Sequence, residues 1–271
     1  MTAAPAPTGP SGPTGQRAAD PLQHVADLPG VAAAVDRARA AVDALRGHRV
    51  MRRSAERVSA ESALRGARAS AALAGADVPL DVVRRTVAAG GRFPEAEDDV
   101  VQGALRVAGE VGPLTGAWSR APLQALARLH SLAAAHQVPD DELGRPAAAG
   151  APRLQALSQL LTTPTSAPAL VVAAVAHAEV EASGAFAVGA GLVARAAFRL
   201  TIVTRGLDPS SVTAPEVGHV ELGGTAYADA LAGYRDGGAD GVAAWVVHCA
   251  EATVLGAREG VAVCESIQRG G

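Results

Sequence analysis

Between Val188 and Arg195 the chain reads VGAGLVAR: two glycines one residue apart, the start of a helical pattern, and an arginine one turn further on. Glycines at a helix start let backbone N–H groups face an anion, and a guanidinium on the same turn adds fixed positive charge. Anion or phosphate binding is therefore the chemistry this spacing could do, with Gly189, Gly191 and Arg195 as the candidate pocket. No residue of catalytic type accompanies them. Ser183-Gly184 lacks the G-x-S-x-G frame of a nucleophile elbow. His177 is expected to pack or hydrogen-bond on its own helix, and Glu179 and Glu181 are expected to be solvated or to cap it. His130 and His136 are six apart, off the spacing of three or four that puts two ligands on one helix face. His219 and His248 have no evident partner. Cys249 and Cys264 offer neither a disulfide framework nor paired zinc ligands, so they read as reduced thiols and no metal is expected.

VGAGLVA also fits G-x-G-x-x-A, the dinucleotide-binding fingerprint, with Asp208 about 20 residues on as a ribose ligand. That alternative is a dinucleotide-dependent oxidoreductase. It requires a strand before the loop and further βα units after it, whereas 167–182 and the roughly 60 residues beyond Asp208 have helical spacing. A parallel sheet around Gly189 would establish it.

The elements that must position these residues are read from apolar spacing. Helical patterns cover Val31–Arg46 (VAAAVDRARAAVDALR), closed by Gly47, and Arg52–Leu73, closed by Gly75. Others begin at Pro79 (PLDVVRRTVAA), at Glu95 (to Glu110) and at Pro122 (to His136), proline being harmless in a first helical turn. After a Pro/Gly/Ala loop at 140–152 come Leu154–Leu161, Ala167–Ala182, Gly191–Arg205, Glu221–Tyr234 and Gly241–Arg258. Leu200–Thr204 (LTIVT) has strand composition but continues a helical pattern. The expected fold class is all-α, about eight to ten helices in one domain over residues 22–260, with N-terminal helices at 22–90 and a core at 91–260. Residues 1–21, rich in Pro, Gly and Ala, are expected to form a disordered tail, without the positive and apolar regions of a secretory signal. Residues 261–271 are expected to form a C-terminal tail.

Composition narrows the function class. Of 271 residues 49% are apolar but only 3% aromatic, so Ala, Val and Leu must build the core. Lys and Asn are absent, and all 24 basic residues are arginine, the signature of a GC-rich bacterial genome. The net charge of −3 carries no basic block, so nucleic acid has no electrostatic footing. The longest apolar stretch, 167–180, is interrupted by His177 and Glu179 and is too short for a bilayer. A cytoplasmic protein is expected, with an unidentified protein partner or a homo-oligomer, and with no membrane.

Four stretches resemble one known family. GAFAVGAGLVAR, from Gly184, is similar to the Fic (Fido) signature: His, any residue, Phe, any residue, Asp or Glu, Gly-Asn-Gly-Arg, two free positions and Arg. AAVAHAEVEA resembles the helix before that motif and LQALARLHSLAAAH an earlier one. LAGYRDGGADGVAAWVVHCAEA, with Tyr234 and Trp245, resembles the C-terminal helices, so the likeness covers roughly residues 50–258. The resemblance implies a nucleotidyltransferase fold in which the His is general base, the acid holds Mg²⁺, and the Gly-Asn-Gly turn and arginines meet the phosphates. Phe186, Gly189, Gly191 and Arg195 match. Gly184 stands at the base, Val188 at the metal ligand, Ala190 at the Asn and Leu192 at the first Arg. Loss of a general base alone removes about 10²–10⁴-fold, and loss of the metal ligand removes the charge stabilisation of phosphoryl transfer. The resemblance thus implies an inactive Fic-like protein with a binding or regulatory role. It would keep at most a weak pocket for an anion or a nucleotide such as ATP at Gly189, Gly191 and Arg195. The alternative within the same fold is altered nucleotidyl (AMP) transfer with a borrowed base such as His177. Ser70–Gly75 (SAALAG) resembles the family's inhibitory helix with Ala74 in place of its Glu, which implies that Arg195 lacks the partner that Glu supplies.

Overall fold

The computed structural model describes residues 20–90 and 98–270. Its elements are all helical. α1 (Pro21–Ala26), α2 (Val31–Arg46), α3 (Met51–Leu73) and α4 (Leu80–Ala88) precede α5 (Asp98–Arg120), α6 (Pro122–Ala133) and α7 (Ala151–Thr162). α8 (Ala169–Ala182), α9 (Ala190–Thr204), α10 (Pro215–Leu222), α11 (Gly224–Arg235) and α12 (Ala239–Gln268) complete the chain. The described residues therefore hold twelve helices where spacing gave about eight to ten. With no strand before Gly189, the structure overturns the dinucleotide-fingerprint reading. Asp208 is not a ribose ligand either: it is buried, and its carboxylate accepts from Val212 N (3.2 Å) and Thr213 N (2.7 Å), closing the loop after α9.

The extra elements lie where spacing was read too coarsely. Glu221–Tyr234 is two helices, because Gly223 adopts φ 100° and breaks the run, while Pro215 in a first turn starts α10 upstream. The N-terminal tail is expected to end at Pro21, yet Asp20 caps α1 through Leu22 N and Gln23 N, and its other oxygen accepts from Thr165 Oγ1 (2.7 Å) and Ser166 N (3.0 Å). The rest of that tail, 1–19, lies outside the described residues, as does the start of the pattern at Glu95. The expected C-terminal tail is helix as far as Gln268, held by Val263 and Cys264 in the core. α5 runs on past Glu110 through Pro113 to Arg120, anchored by buried Trp118, whose Nε1 donates to Thr201 Oγ1 at 3.1 Å.

Two apolar clusters share α8 and α9. One joins these helices to α2, α11 and α12; the other joins them to α3, α5, α6 and α7. α8 accordingly buries residues on every side, from Leu170 to Ala178 without interruption, as expected for a helix enclosed by others. With few aromatics available, packing relies on close backbone approach. A Cβ at Gly103 would collide with the Ala133 carbonyl, at Gly218 with that of Ala252, and at Gly256 with that of Ala214. These contacts seat α5 on α6 and α10 on α12, and they explain glycines that composition alone leaves unassigned. Among the described residues no helix is long and apolar enough to cross a membrane.

Candidate functional site

The turn between α8 and α9 is built by two glycines in the left-handed region: Gly184 at φ 61° and Gly189, the N-cap of α9, at φ 73°. Between them Phe186 is buried and stacks on His130 of α6, with centroids 4.2 Å apart and planes 14° from parallel. His130 Nδ1 accepts from Gly144 N at 3.0 Å, and the Val188 backbone also engages the ring. Burial lowers the His130 pKa, so the ring is held neutral and serves as a post for the turn. Sequence spacing had excluded His130 from a metal pair with His136, but it could not show that Phe186 and His130 meet.

The positions that the resemblance assigns to chemistry lie on this turn and on the first turn of α9. At Gly184, the position that the resemblance assigns to the general base, a Cβ would meet nothing within 4 Å. Val188 and Ala190 are part-exposed, and Leu192 is buried in the core beneath the first turn of α9.

Arg195 is 3% exposed and does not lack a partner. Its Nε donates to Ser70 Oγ (2.7 Å), Nη2 to the Ser70 carbonyl (2.9 Å) and Nη1 to the Tyr227 hydroxyl (3.3 Å). The expectation from Ala74 is thus corrected: the same helix answers the guanidinium four residues earlier, with a neutral hydroxyl and carbonyl instead of a carboxylate. Tyr227 is held protonated, its pKa pushed up to about 12 by burial, which outweighs the nearby Arg195 charge. A Cβ at Gly191 would lie 3.0 Å from Arg195 Nη1 and 3.1 Å from Glu181 Oε1. Gly191 therefore admits a guanidinium and a carboxylate to the foot of α9 together. The carboxylate opposes the binding of a second anion there.

The upstream acids are ion-paired. Glu179 receives Arg153 through Nε (2.6 Å) and Nη2 (3.0 Å), and Tyr234 donates to it at 2.7 Å. Glu181 lies 3.6 Å from Arg235. One turn beyond Arg195, buried Arg199 donates from Nη2 to Thr213 O (2.8 Å), Glu216 Oε2 (3.0 Å) and Ser62 Oγ (3.2 Å), joining α9, α10 and α3. Between Ser70, Arg195, Arg199 and Glu216 lies a cavity of about 20 Å³, room for one water and far below a nucleotide.

His177 is fully buried, and its Nε2 lies 2.7 Å from the Tyr227 hydroxyl. Burial, helped by the charge of Arg195, holds its pKa well below the usual imidazole range. It stands within the aromatic interior, in centroid contact with Phe198, His219 and Trp245. His219 and His248, without evident partners in sequence, pair with each other: Nδ1 of His219 lies 3.0 Å from Nε2 of His248. Both cysteines are unpaired and buried.

No family model matches the sequence, and no curated protein matches it. Solved structures do. A Fic family protein from Desulfovibrio desulfuricans G20 superposes with a TM-score of 0.71 at 20% identity, covering 87% of this chain and 75% of that one. Fic-1 (residues 134–508) from C. elegans superposes with a TM-score of 0.68 at 17% identity, covering 88% and 75%. At such identities the likeness speaks for architecture alone. The chain has the all-helical fold of Fic family proteins.

Proposed function

We propose that this chain is a Fic-fold protein without transfer chemistry, acting as a binding or regulatory partner of another protein. The observation that carries this reading is the fate of the motif. Gly184, Val188, Ala190 and Leu192 supply neither base, metal ligand nor phosphate donor. The surviving Arg195 spends its hydrogen bonds on Ser70 and Tyr227. With Glu181 beside Gly191, the turn presents mixed charge where a triphosphate needs a purely electropositive cradle. The resemblance-based pocket at Gly189, Gly191 and Arg195 is then a structural joint: Gly189 turns the chain, Gly191 makes room, and Arg195 clamps α9 to α3 and α11. Two unpaired thiols favour a reducing compartment such as the cytoplasm.

Calorimetric titration of the protein with ATP and Mg²⁺ tests this. The expected result is no saturable heat at millimolar nucleotide, where even a millimolar Kd corresponds to about −4 kcal/mol. Saturable binding that disappears in Arg195→Ala would establish the nucleotide pocket instead.

A further inference from the structure

Three helices bring a second set of chemistry-bearing residues together. α8 supplies His177, α10 supplies His219 and α12 supplies Cys249, all buried. One ligand-type atom from each, two imidazole nitrogens and the thiol sulfur, lies within 4.8 Å of the other two. Tetrahedral or trigonal coordination with bonds of about 2.0–2.3 Å places donors about 3.3–4.0 Å apart. The cluster therefore stands within a small inward movement of ligation.

A second observation points the same way. His177 Nδ1 is buried and has no hydrogen-bond partner. Its other nitrogen is engaged by Tyr227, and with Nε2–H donating to that hydroxyl, Nδ1 presents a lone pair. His219 is likewise engaged at Nδ1, by His248 Nε2 at 3.0 Å. An imidazole fixed through one nitrogen by a polar neighbour, with the other directed to a common centre, is the outer-shell pattern of metal-binding histidines. The ring planes are held by Trp245, whose ring stands 4.9 Å from His177 and whose Nε1 is tied to the Ala174 carbonyl at 2.8 Å.

We infer that His177, His219 and Cys249 form a buried binding site for a thiophilic d¹⁰ ion, Zn²⁺ or Cu⁺. Two imidazoles and a thiolate are a borderline-to-soft donor set, which disfavours Mg²⁺ and Ca²⁺. Charge ranks the two candidates. Binding expels the Cys249 proton to solvent, so Cu⁺ gives a neutral centre, whereas Zn²⁺ leaves a net positive charge close to the Arg195 guanidinium, which bonds the same Tyr227. No titratable acid closes the shell, so Cu⁺ is the better match. The site is enclosed, and the ion enters as the chain folds. His219 and His248 are 29 residues apart on different helices, and His177 is 72 residues from Cys249, so no sequence spacing announced the cluster.

The test refolds the full chain from denaturant under reducing, anaerobic conditions with Zn²⁺ or with Cu⁺. The protein is then passed over a chelator and the retained metal is counted by mass spectrometry. Wild type and Cys264→Ser are expected to retain one ion per chain of at least one of the two metals. Cys249→Ser should retain at least about tenfold less, and His248→Ala should weaken binding by about 10–100-fold. Should Cys249→Ser fail to refold, Cys264→Ser, whose one thiol is Cys249, gives the same answer: a thiolate charge-transfer band on loading with Cu⁺, or with Co²⁺ in place of Zn²⁺, supports the site, and the absence of both bands overturns it. Retention of neither metal by folded wild type also overturns it, as does equal retention by the two cysteine variants.

Discussion

The turn before α9 depends on a ring that carries no charge. His130 stacks on Phe186 and accepts from Gly144 N–H through Nδ1, and the second contact requires the neutral imidazole. Its pKa is lowered on folding by burial, so the folded state binds its proton less readily than the unfolded chain does. The stabilisation is then fully present above about pH 6.5, the unfolded imidazole value, and is lost as pH falls below it toward the folded pKa. Urea unfolding at pH 7.5 and 5.5 should show a loss of stability on acidification that is smaller in His130→Gln than in wild type; an equal loss would detach this ring from the pH response. At this scale the sequence was partly legible. The motif frame put Gly184, Phe186, Val188, Gly189, Ala190, Gly191, Leu192 and Arg195 at their places on one turn. It did not show what Arg195 touches, because its acceptor on α3 is 125 residues away and is a serine, a residue type without charge to advertise the contact.

Helix packing sets the next constraint. In a chain built on Ala and Gly, the shape of the core is carried by the places where backbones meet. Gly218 of α10 lies against the Ala252 carbonyl of α12, whereas Gly109 of α5 would meet nothing within 4 Å if it carried a Cβ. The same substitution should therefore have opposite signs. Gly218→Ala is expected to lose about 1–3 kcal/mol by overpacking, and Gly109→Ala to gain up to about 1 kcal/mol from helix propensity. Thermal unfolding of the two variants beside wild type reads this directly; a neutral Gly218→Ala would mean that the α10–α12 contact is loose. Long helices such as α2 and α3 were legible from apolar spacing and a closing glycine. α10 was missed because eight residues give little more than two turns of pattern. The last ten residues of α12 were missed because a Gly-containing, polar-flanked segment reads as a tail until Val263 and Cys264 are seen to be buried.

At the scale of the whole molecule, the architecture is the part shared with proteins of known structure. The fold is shared with Fic family proteins at 17–20% identity, and the α8–turn–α9 hairpin lies at its centre. In this chain the interior beside that hairpin is closed by Arg195–Ser70 and Arg199–Glu216, with room for a single water between them. The all-helical class followed from spacing; the enclosure of α8 and α9 by the other helices did not. Nor did the convergence of His177, His219 and Cys249, because three helices distant in sequence supply one residue each. The most direct test of the proposal that the chain has no transfer chemistry is incubation of the purified protein with ATP labelled on the α-phosphate, Mg²⁺ and a lysate of candidate targets, followed by gel autoradiography. The predicted result is no label on itself or any lysate protein above a no-protein control. Mg²⁺-dependent label that appears with wild type and vanishes with Arg195→Ala would contradict it.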